Sequence, residues 1–119
     1  MAYIRKFGGP ILLDISNGQV RRFGGQVLYV MRNGEFRRFS GPILYTARNG
    51  EIRPFGGLIE LIVRNGEIRP FSGPIIAKFD QGNRYLRPFA GPIEYQIDGY
   101  LSEDDMMALV ILIYILHEI

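Results

Sequence analysis

The chain has 119 residues, of which 47% are apolar and 22% charged, with a net charge of +2. This composition excludes a disordered chain and leaves room for one domain with a modest core. There is no cysteine, which excludes disulfides and thiolate metal sites. Residues 1–57 carry nine Arg and Lys against three acids (+6), and residues 58–119 carry five against nine (−4). This asymmetry favours head-to-tail self-association or an anionic partner on one side.

The N-terminal segment, residues 1–10, has no apolar run of the kind that a signal peptide needs. We therefore expect a cytoplasmic protein with no transmembrane segment. The same segment matches the second half of a repeat that fills residues 1–101. Phe recurs every sixteen residues from Phe7 to Phe71, and Phe89 follows after eighteen.

Each repeat combines the same short signals. An Arg stands two residues before the Phe, and a small residue and a Gly follow it. Asn-Gly pairs lie between alternating segments, which predicts β-hairpins with two-residue type I′ turns. One repeat is therefore one hairpin and one Gly-rich link. The pairs are Asn17-Gly18, Asn33-Gly34, Asn49-Gly50 and Asn65-Gly66.

The longer strand of each hairpin alternates with period two, which predicts its inner face. In the short strand, a type I′ register places Ile52 and Pro54 inward and Arg53 and Phe55 outward. A Gly-dependent bulge would turn the Phe inward instead, so the direction of the Phe ring stays open. The inner set of the long strands is Ile11, Leu13, Ile15, Val27, Tyr29, Met31, Ile43, Tyr45, Ala47, Ile59, Leu61, Val63, Ile75, Ala77, Phe79, Ile93, Tyr95 and Ile97.

The two ends of the repeat region complement each other. Residues 98–101 start a second strand for the sixth copy, but the chain then leaves, and the N-terminal half-repeat supplies the strand that is missing. We therefore expect twelve short antiparallel strands in six hairpins, forming a closed or nearly closed pseudo-six-fold ring. Pro54, Pro70 and Pro88 lie within short strands and cannot donate hydrogen bonds, so pairing should loosen there.

Residues 102–119 predict one helix at the centre of this ring. Ser102 is a good N-cap, and the acids at 103–105 suit the positive end of the helix dipole. Residues 106–116 are all apolar or Tyr, so the helix has no face for water and must be enclosed. They span about 16 Å, too short for a bilayer core of about 30 Å. The fold class is thus all-β with one buried helix, and residues 1–119 are expected to form a single domain.

The repeat of residues 49–59, Asn-Gly-Glu-Ile-Arg-Pro-Phe-Gly-Gly-Leu-Ile, and its five copies resemble the bacterial beta-flower repeat proteins. That family is known with four-fold and five-fold pseudo-symmetry. The resemblance covers residues 1–101 and implies an architecture of hairpins around an axis. It implies no activity, because the family has no settled one. A closed barrel around an apolar helix is also similar to the tubby-like fold, as an architectural analogy only.

No catalytic, cofactor or metal site is predicted. His117 is the single histidine, and its place at the helix end suits a cation that complements the dipole. The acidic residues Glu103, Asp104 and Asp105 could bind a hard cation, but their place at the helix start explains them. No nucleophile, base and orienting group can be assembled, so we expect a non-enzymatic protein without cofactors.

The role of the Arg that stands two residues before each Phe has two interpretations. In the functional one, a cationic belt binds anionic lipid or nucleic acid. In the structural one, each Arg stem covers its Phe and each guanidinium pairs with an acid such as Glu35, Glu51 or Glu67. The leading hypothesis is a non-enzymatic binding, structural or self-association module, with a second copy as a candidate partner. The alternative is a peripheral binder of anionic lipid or nucleic acid. The candidate anion-binding residues are Arg5, Lys6, Arg21, Arg22, Arg37 and Arg38.

Overall fold

The computed structural model describes residues 1–119 and contains twelve short antiparallel strands followed by one helix. The helix has an α-helical part, α1, and then a π-helical part that widens its last turns. The bounds are β1 Ala2–Lys6, β2 Ile11–Ser16, β3 Gln19–Arg22, β4 Val27–Arg32, β5 Glu35–Arg38, β6 Ile43–Arg48, β7 Glu51–Pro54, β8 Leu61–Arg64, β9 Glu67–Pro70, β10 Ala77–Asp80, β11 Tyr85–Pro88, β12 Tyr95–Gly99, α1 Glu103–Val110 and the π-helical segment Ile111–Ile115.

The strands close into a barrel in which each strand pairs with its neighbours in chain order. Closure is made by β1 and β12, with Ala2 opposite Gly99 and Lys6 opposite Tyr95. The N-terminal strand therefore completes the last hairpin, and the expected closed ring of six hairpins is confirmed.

The Asn-Gly pairs form the type I′ turns that the sequence predicts. In the second hairpin, Asn33 has φ 52° and Gly34 has φ 75°, and positive φ at both central residues defines this turn. The turn glycines also join neighbouring hairpins, since the Met31 N–H donates to the Gly18 carbonyl at 2.6 Å. A Cβ on Gly18 would collide with the carbonyl oxygen of Met31. The glycine is thus required by both turn geometry and close approach.

The core is built from the inner faces of all twelve strands. Each long strand buries the two inner residues nearest its turn, apart from Tyr45, while the first inner residue lies half-buried at the rim. Each short strand buries one large apolar residue with no exposed surface, as the type I′ register requires, and β1 also buries Ala2. The large apolar residues are Ile4, Val20, Phe36, Ile52, Ile68 and Leu86.

The helix runs through the barrel and its middle is fully enclosed. Residues Met107 to Ile113 are at most 5% exposed, which confirms the buried helix. Ser102 caps it, because its Oγ accepts the Asp105 N–H at 3.1 Å. The prediction that the helix reaches Ile119 is wrong. It stops at Ile115 because His117 adopts a left-handed φ of 54°, which reverses the chain beside the last turn.

The two halves of the barrel are joined differently. In the first half, β1–β6, the residue before Phe is Lys6, Arg22 or Arg38, and the junctions between hairpins carry three or four aligned residue pairs with a β-bulge. In the second half, β7–β12, that residue is Pro and each junction keeps two pairs. Because proline has no N–H to donate, pairing ends earlier there. The expected loosening is confirmed.

The bulges of the first half bring additional leucines to the core. Leu12, Leu28 and Leu44 are skipped by the pairing, and all three pack against the buried cluster. Leu28 lines a small cavity together with Leu112 and Ile119. Simple alternation does not identify these leucines, because a bulge shifts the side-chain pattern by one residue.

Candidate functional site: the link-end face

The barrel is flat, with extents of 38 × 35 × 21 Å. At one end lie the Asn-Gly turns and the start of the helix; we call this the turn end. At the other lie the six Phe-containing links and the C-terminus; we call this the link end. The turn-end clefts and the link-end side chains are the two candidate sites.

The links hold the backbone of each Phe in a fixed position. In the third copy, the Gly41 N–H donates to the Arg38 carbonyl at 2.8 Å and closes the link turn. The Phe39 N–H donates to the Leu28 carbonyl of the neighbouring strand at 3.0 Å. All six links share both bonds, so each Phe is presented from a rigid turn.

The Phe rings point outward, which settles the question that the sequence leaves open. Each is between 55% and 64% exposed, although the strand residue three positions earlier is fully buried. Only Phe23 and Phe7 make edge-to-face contacts, with Tyr3 and Tyr85 at 5.9 and 6.0 Å between ring centroids. The core therefore does not require these rings. We call them the Phe belt: Phe7, Phe23, Phe39, Phe55, Phe71 and Phe89.

The six Arg residues that precede the Phe by two positions all form ion pairs. The pairs with Glu35, Glu51 and Glu67 are those that the structural interpretation predicts. Since every member of the set has a carboxylate partner, these guanidinium groups are locally neutralised. The pairs are Arg5–Asp98 at 2.8 Å, Arg21–Asp14 at 3.6 Å, Arg37–Glu35 at 3.0 Å, Arg53–Glu51 at 3.0 Å, Arg69–Glu67 at 3.6 Å and Arg87–Asp80 at 2.9 Å.

The remaining candidates, Lys6, Arg22 and Arg38, are exposed and have no carboxylate within ion-pair distance. The Lys6 Nζ lies 5.4 Å from the centre of the Tyr95 ring, and the Arg38 guanidinium lies 5.4 Å from that of Tyr29. The structure thus divides the six predicted anion-binding residues into two sets. Three are paired on the outer wall, and three are unpaired at the link end.

Two unpaired acids, Glu60 and Glu94, lie at the same end in the second half of the barrel. Burial and then the nearby Glu60 raise the pKa of Tyr45, and burial and then Glu94 raise the pKa of Tyr95. Both carboxylates are therefore within electrostatic range of the tyrosines at the barrel mouth. We call the Phe belt, the three unpaired cations and these two acids the link-end face.

Three tyrosines surround the C-terminus. The Tyr29 hydroxyl donates to the Glu118 carboxylate at 2.6 Å, and the Tyr95 hydroxyl donates to the Ile119 carbonyl at 2.9 Å. Burial, followed by the bond to Glu118, raises the pKa of Tyr29 to about 12. Burial and Glu94 also raise the pKa of Tyr114, whose buried hydroxyl has no hydrogen-bond partner. Sequence reasoning treated these phenols only as core residues, since no motif marks them.

The turn end carries open clefts of about 450, 390 and 370 Å³ between the helix start and the Asn-Gly turns. Glu103 and Asp104 line them, whereas Asp105 is buried and accepts the Gly18 N–H at 3.0 Å. The acidic residues therefore serve the helix start and its attachment to the wall. No group of three His, Asp or Glu side chains is close enough to hold a metal ion. The helical segments lack the length and the continuous apolar run that a membrane-spanning helix requires.

Comparison with known proteins finds no matching family model, no matching curated protein and no matching solved structure. The architecture, a twelve-stranded antiparallel barrel of hairpins with one helix, is consistent with a beta-flower-like fold. The link-end face is therefore interpreted from its own geometry.

Proposed function

We propose that this protein is a non-enzymatic module that self-associates through its link-end face. The observation that carries the proposal is the Phe belt. In six copies a phenyl ring stands on a hydrogen-bonded turn and is more than half exposed, and the turn itself uses only the backbone of that residue. Exposed apolar groups that the core does not need are typical of contact surfaces.

The spacing of the belt favours a broad, flat partner. Neighbouring hairpins are about 12 Å apart along the wall, from two strands of about 4.8 Å tilted by about 40°. A small ligand would therefore touch a single Phe. A second copy has the same arrangement of rings and can engage the whole circle at once, so that weak single contacts add up.

The size of the face also suits self-association. A disc of 38 × 35 Å has a face of about 1,000 Å², and stable protein interfaces bury about 800 Å² per partner. A catalytic function has less support. The turn-end clefts contain Asn, Arg and acids but no histidine, and His117 lies exposed at the opposite end.

Sedimentation velocity over a concentration series tests the proposal. The wild-type chain should form an oligomer, and a chain with Phe23, Phe39, Phe55 and Phe71 each changed to Ser should be monomeric at the same concentrations. Because the rings are exposed, the thermal unfolding midpoint should change little. Tyr100→Ser is the matched control, since Tyr100 is an aromatic residue that is 75% exposed at the turn end. A wild-type chain that stays monomeric at every concentration would refute self-association.

The second candidate function is binding of an anionic partner, lipid or nucleic acid, through Lys6, Arg22 and Arg38. The specific observation is that these three cations have no carboxylate partner, unlike the Arg residues of the outer wall. Binding to phosphatidylserine vesicles or to nucleic acid should weaken steeply as salt rises. Arg22→Gln with Arg38→Gln should abolish it, and the already paired Arg21→Gln with Arg37→Gln should not. Absence of binding at about 50 mM salt would remove this candidate.

A further inference from the structure

The charges that the wall of the barrel contributes to the link-end face follow a simple order around the ring, and the chain end adds Glu118, which accepts the Tyr29 hydroxyl. Going around the ring, the cations at the ends of β1, β3 and β5 are followed by the residues that directly precede β8, β10 and β12, two of which are acids. The position between the two acids is Ile76, which is 37% exposed. In ring order the six side chains are Lys6, Arg22, Arg38, Glu60, Ile76 and Glu94.

This order is self-complementary under one symmetry operation. A two-fold axis that lies in the face and passes between β1 and β12 turns one copy over and reverses the order of the ring. The first position then faces the last, the second faces the fifth and the third faces the fourth. Lys6 therefore meets Glu94, and Arg38 meets Glu60, each twice because the contact is isologous.

We infer that two copies of this chain stack link end to link end about this axis, with Lys6 and Arg38 of each copy facing Glu94 and Glu60 of the other. The inference rests on the proposed self-association and adds its partner, symmetry and register. Arg22 faces Ile76 and lies with its stem over an apolar side chain. The two Phe belts then lie around the circumference of this contact, because the rings point outward from the barrel.

Other arrangements use the face less well. Stacking the link end on a turn end would place the Phe rings against polar Asn-Gly turns and would continue as an open filament instead of closing. A two-fold axis perpendicular to the first would place cations over cations, which costs affinity. An anionic membrane would be attracted by the three cations but repelled by Glu60 and Glu94. The charge order thus selects one closed dimer.

Charge reversal tests the register. One variant combines Lys6→Glu with Arg38→Glu, and the other combines Glu60→Lys with Glu94→Lys. Each variant alone should dimerise with a Kd raised by about tenfold or more, because like charges face each other. An equimolar mixture should recover a heterodimer with a Kd within about threefold of wild type, since both reversed sets then face opposite charges. Sedimentation equilibrium on the separate and mixed chains measures all three constants.

The control reverses two unpaired cations at the other end, Arg32→Glu with Arg84→Glu, and should leave dimerisation unchanged. Lys6 and Arg38 also contact tyrosine rings, so the neutral pair Lys6→Gln and Arg38→Gln is measured alongside and should give an intermediate Kd without a change in circular dichroism.

The outcomes separate the two levels of the proposal. Recovery in the mixture supports the register. Wild-type dimerisation by both reversed variants would overturn the register while leaving self-association through the Phe belt in place. A monomeric wild-type chain would overturn both. Binding to zwitterionic vesicles by an otherwise monomeric chain would assign the belt to a membrane surface instead of a second copy.

Discussion

The two halves of this barrel come from the same sixteen-residue repeat, yet they differ consistently at the position before the Phe. Where the first half has Lys6, Arg22 or Arg38 before the Phe, the second has Pro. The cationic copies keep a backbone donor, a longer junction and a bulge, whereas the proline copies lose all three.

The comparison shows how a repeat can be specialised without loss of its fold. The buried short-strand residues and the Asn-Gly turns are common to both halves, so the barrel closes. The rim position tolerates this variation because it is the last residue of each short strand, at the end of the hairpin ladder away from the turn. In the first half, Lys or Arg at the rim position adds positive charge. In the second half, Pro at that position restricts the backbone, and Glu60 and Glu94 nearby add negative charge.

The largest effect is expected from the helix that both halves enclose. Leu112 is 1% exposed, so Leu112→Asp places a charge among the buried apolar side chains of the barrel. This change should lower the free energy of unfolding by about 5 kcal/mol or more. Urea denaturation followed by circular dichroism measures the loss. Leu116→Asp, at the partly exposed end of the helix, should cost far less. Equal midpoints for wild type and Leu112→Asp would show that the halves do not share one core.

At the turn end, where the halves are alike, the contacts between hairpins can be probed with two glycines, one in the turn between β6 and β7 and one in the turn between β8 and β9. Gly50 and Gly66 both have φ 76°, so alanine at either should cost about 1 kcal/mol from the left-handed backbone. At Gly50 the new Cβ would also collide with the Val63 carbonyl oxygen, whereas at Gly66 the nearest atom is 3.5 Å away. We expect Gly50→Ala to lose about 2 kcal/mol more than Gly66→Ala. Equal losses in thermal denaturation would contradict the close approach of the hairpins.

The difference between the halves can be tested by exchanging the residues before the Phe, with Pro placed in the first half and Arg in the second. Arg38→Pro removes the donor that extends the junction of β5 and β6 and should cost about 1 kcal/mol. Pro54→Arg restores the donor in the second half, and the new amide at position 54 should be protected from hydrogen exchange. If that amide exchanges at the rate of an unstructured chain, the missing proline N–H is not what shortens these junctions.

The smallest effects are expected from two phenols of the barrel mouth. Tyr29→Phe loses the bond to Glu118 and should cost about 1 kcal/mol, whereas Tyr114→Phe removes an unpaired buried hydroxyl and should be neutral or stabilising. Chemical denaturation at neutral pH compares them. The reverse ranking would show that the Tyr114 hydroxyl is satisfied in solution.

The same phenols predict a pH dependence. The folded pKa of Tyr29, about 12, is above the unfolded value of 10.0. Its contribution to stability is therefore complete below pH 10 and is lost as the pH rises from about 10 towards 12. Tyr29→Phe should unfold with a shallower alkaline slope than wild type in this window. An unchanged slope would mean that Tyr29 does not remain protonated in the folded protein.

The sequence alone was sufficient to predict the closed ring, the register of the hairpins and the buried helix. Period-two alternation, Asn-Gly turns and an apolar helix are local signals that leave a single compatible arrangement once the N-terminal half-repeat supplies the last strand. Leu13 and Ile52 are buried as alternation requires, and Arg53 pairs with Glu51 as their spacing allows.

The direction of the Phe rings, the inward shift of Leu12, Leu28 and Leu44, and the π-helical end of the helix were decided by tertiary structure. A bulge moves a side chain to the other face without leaving a signature in composition, and a helix widens or stops according to the bore that receives it. The charged residues of the link-end face are all present in the sequence, but only the closed ring arranges them into one surface. Lys6 and Glu94 lie at opposite ends of the repeat region, and closure of the barrel brings them side by side.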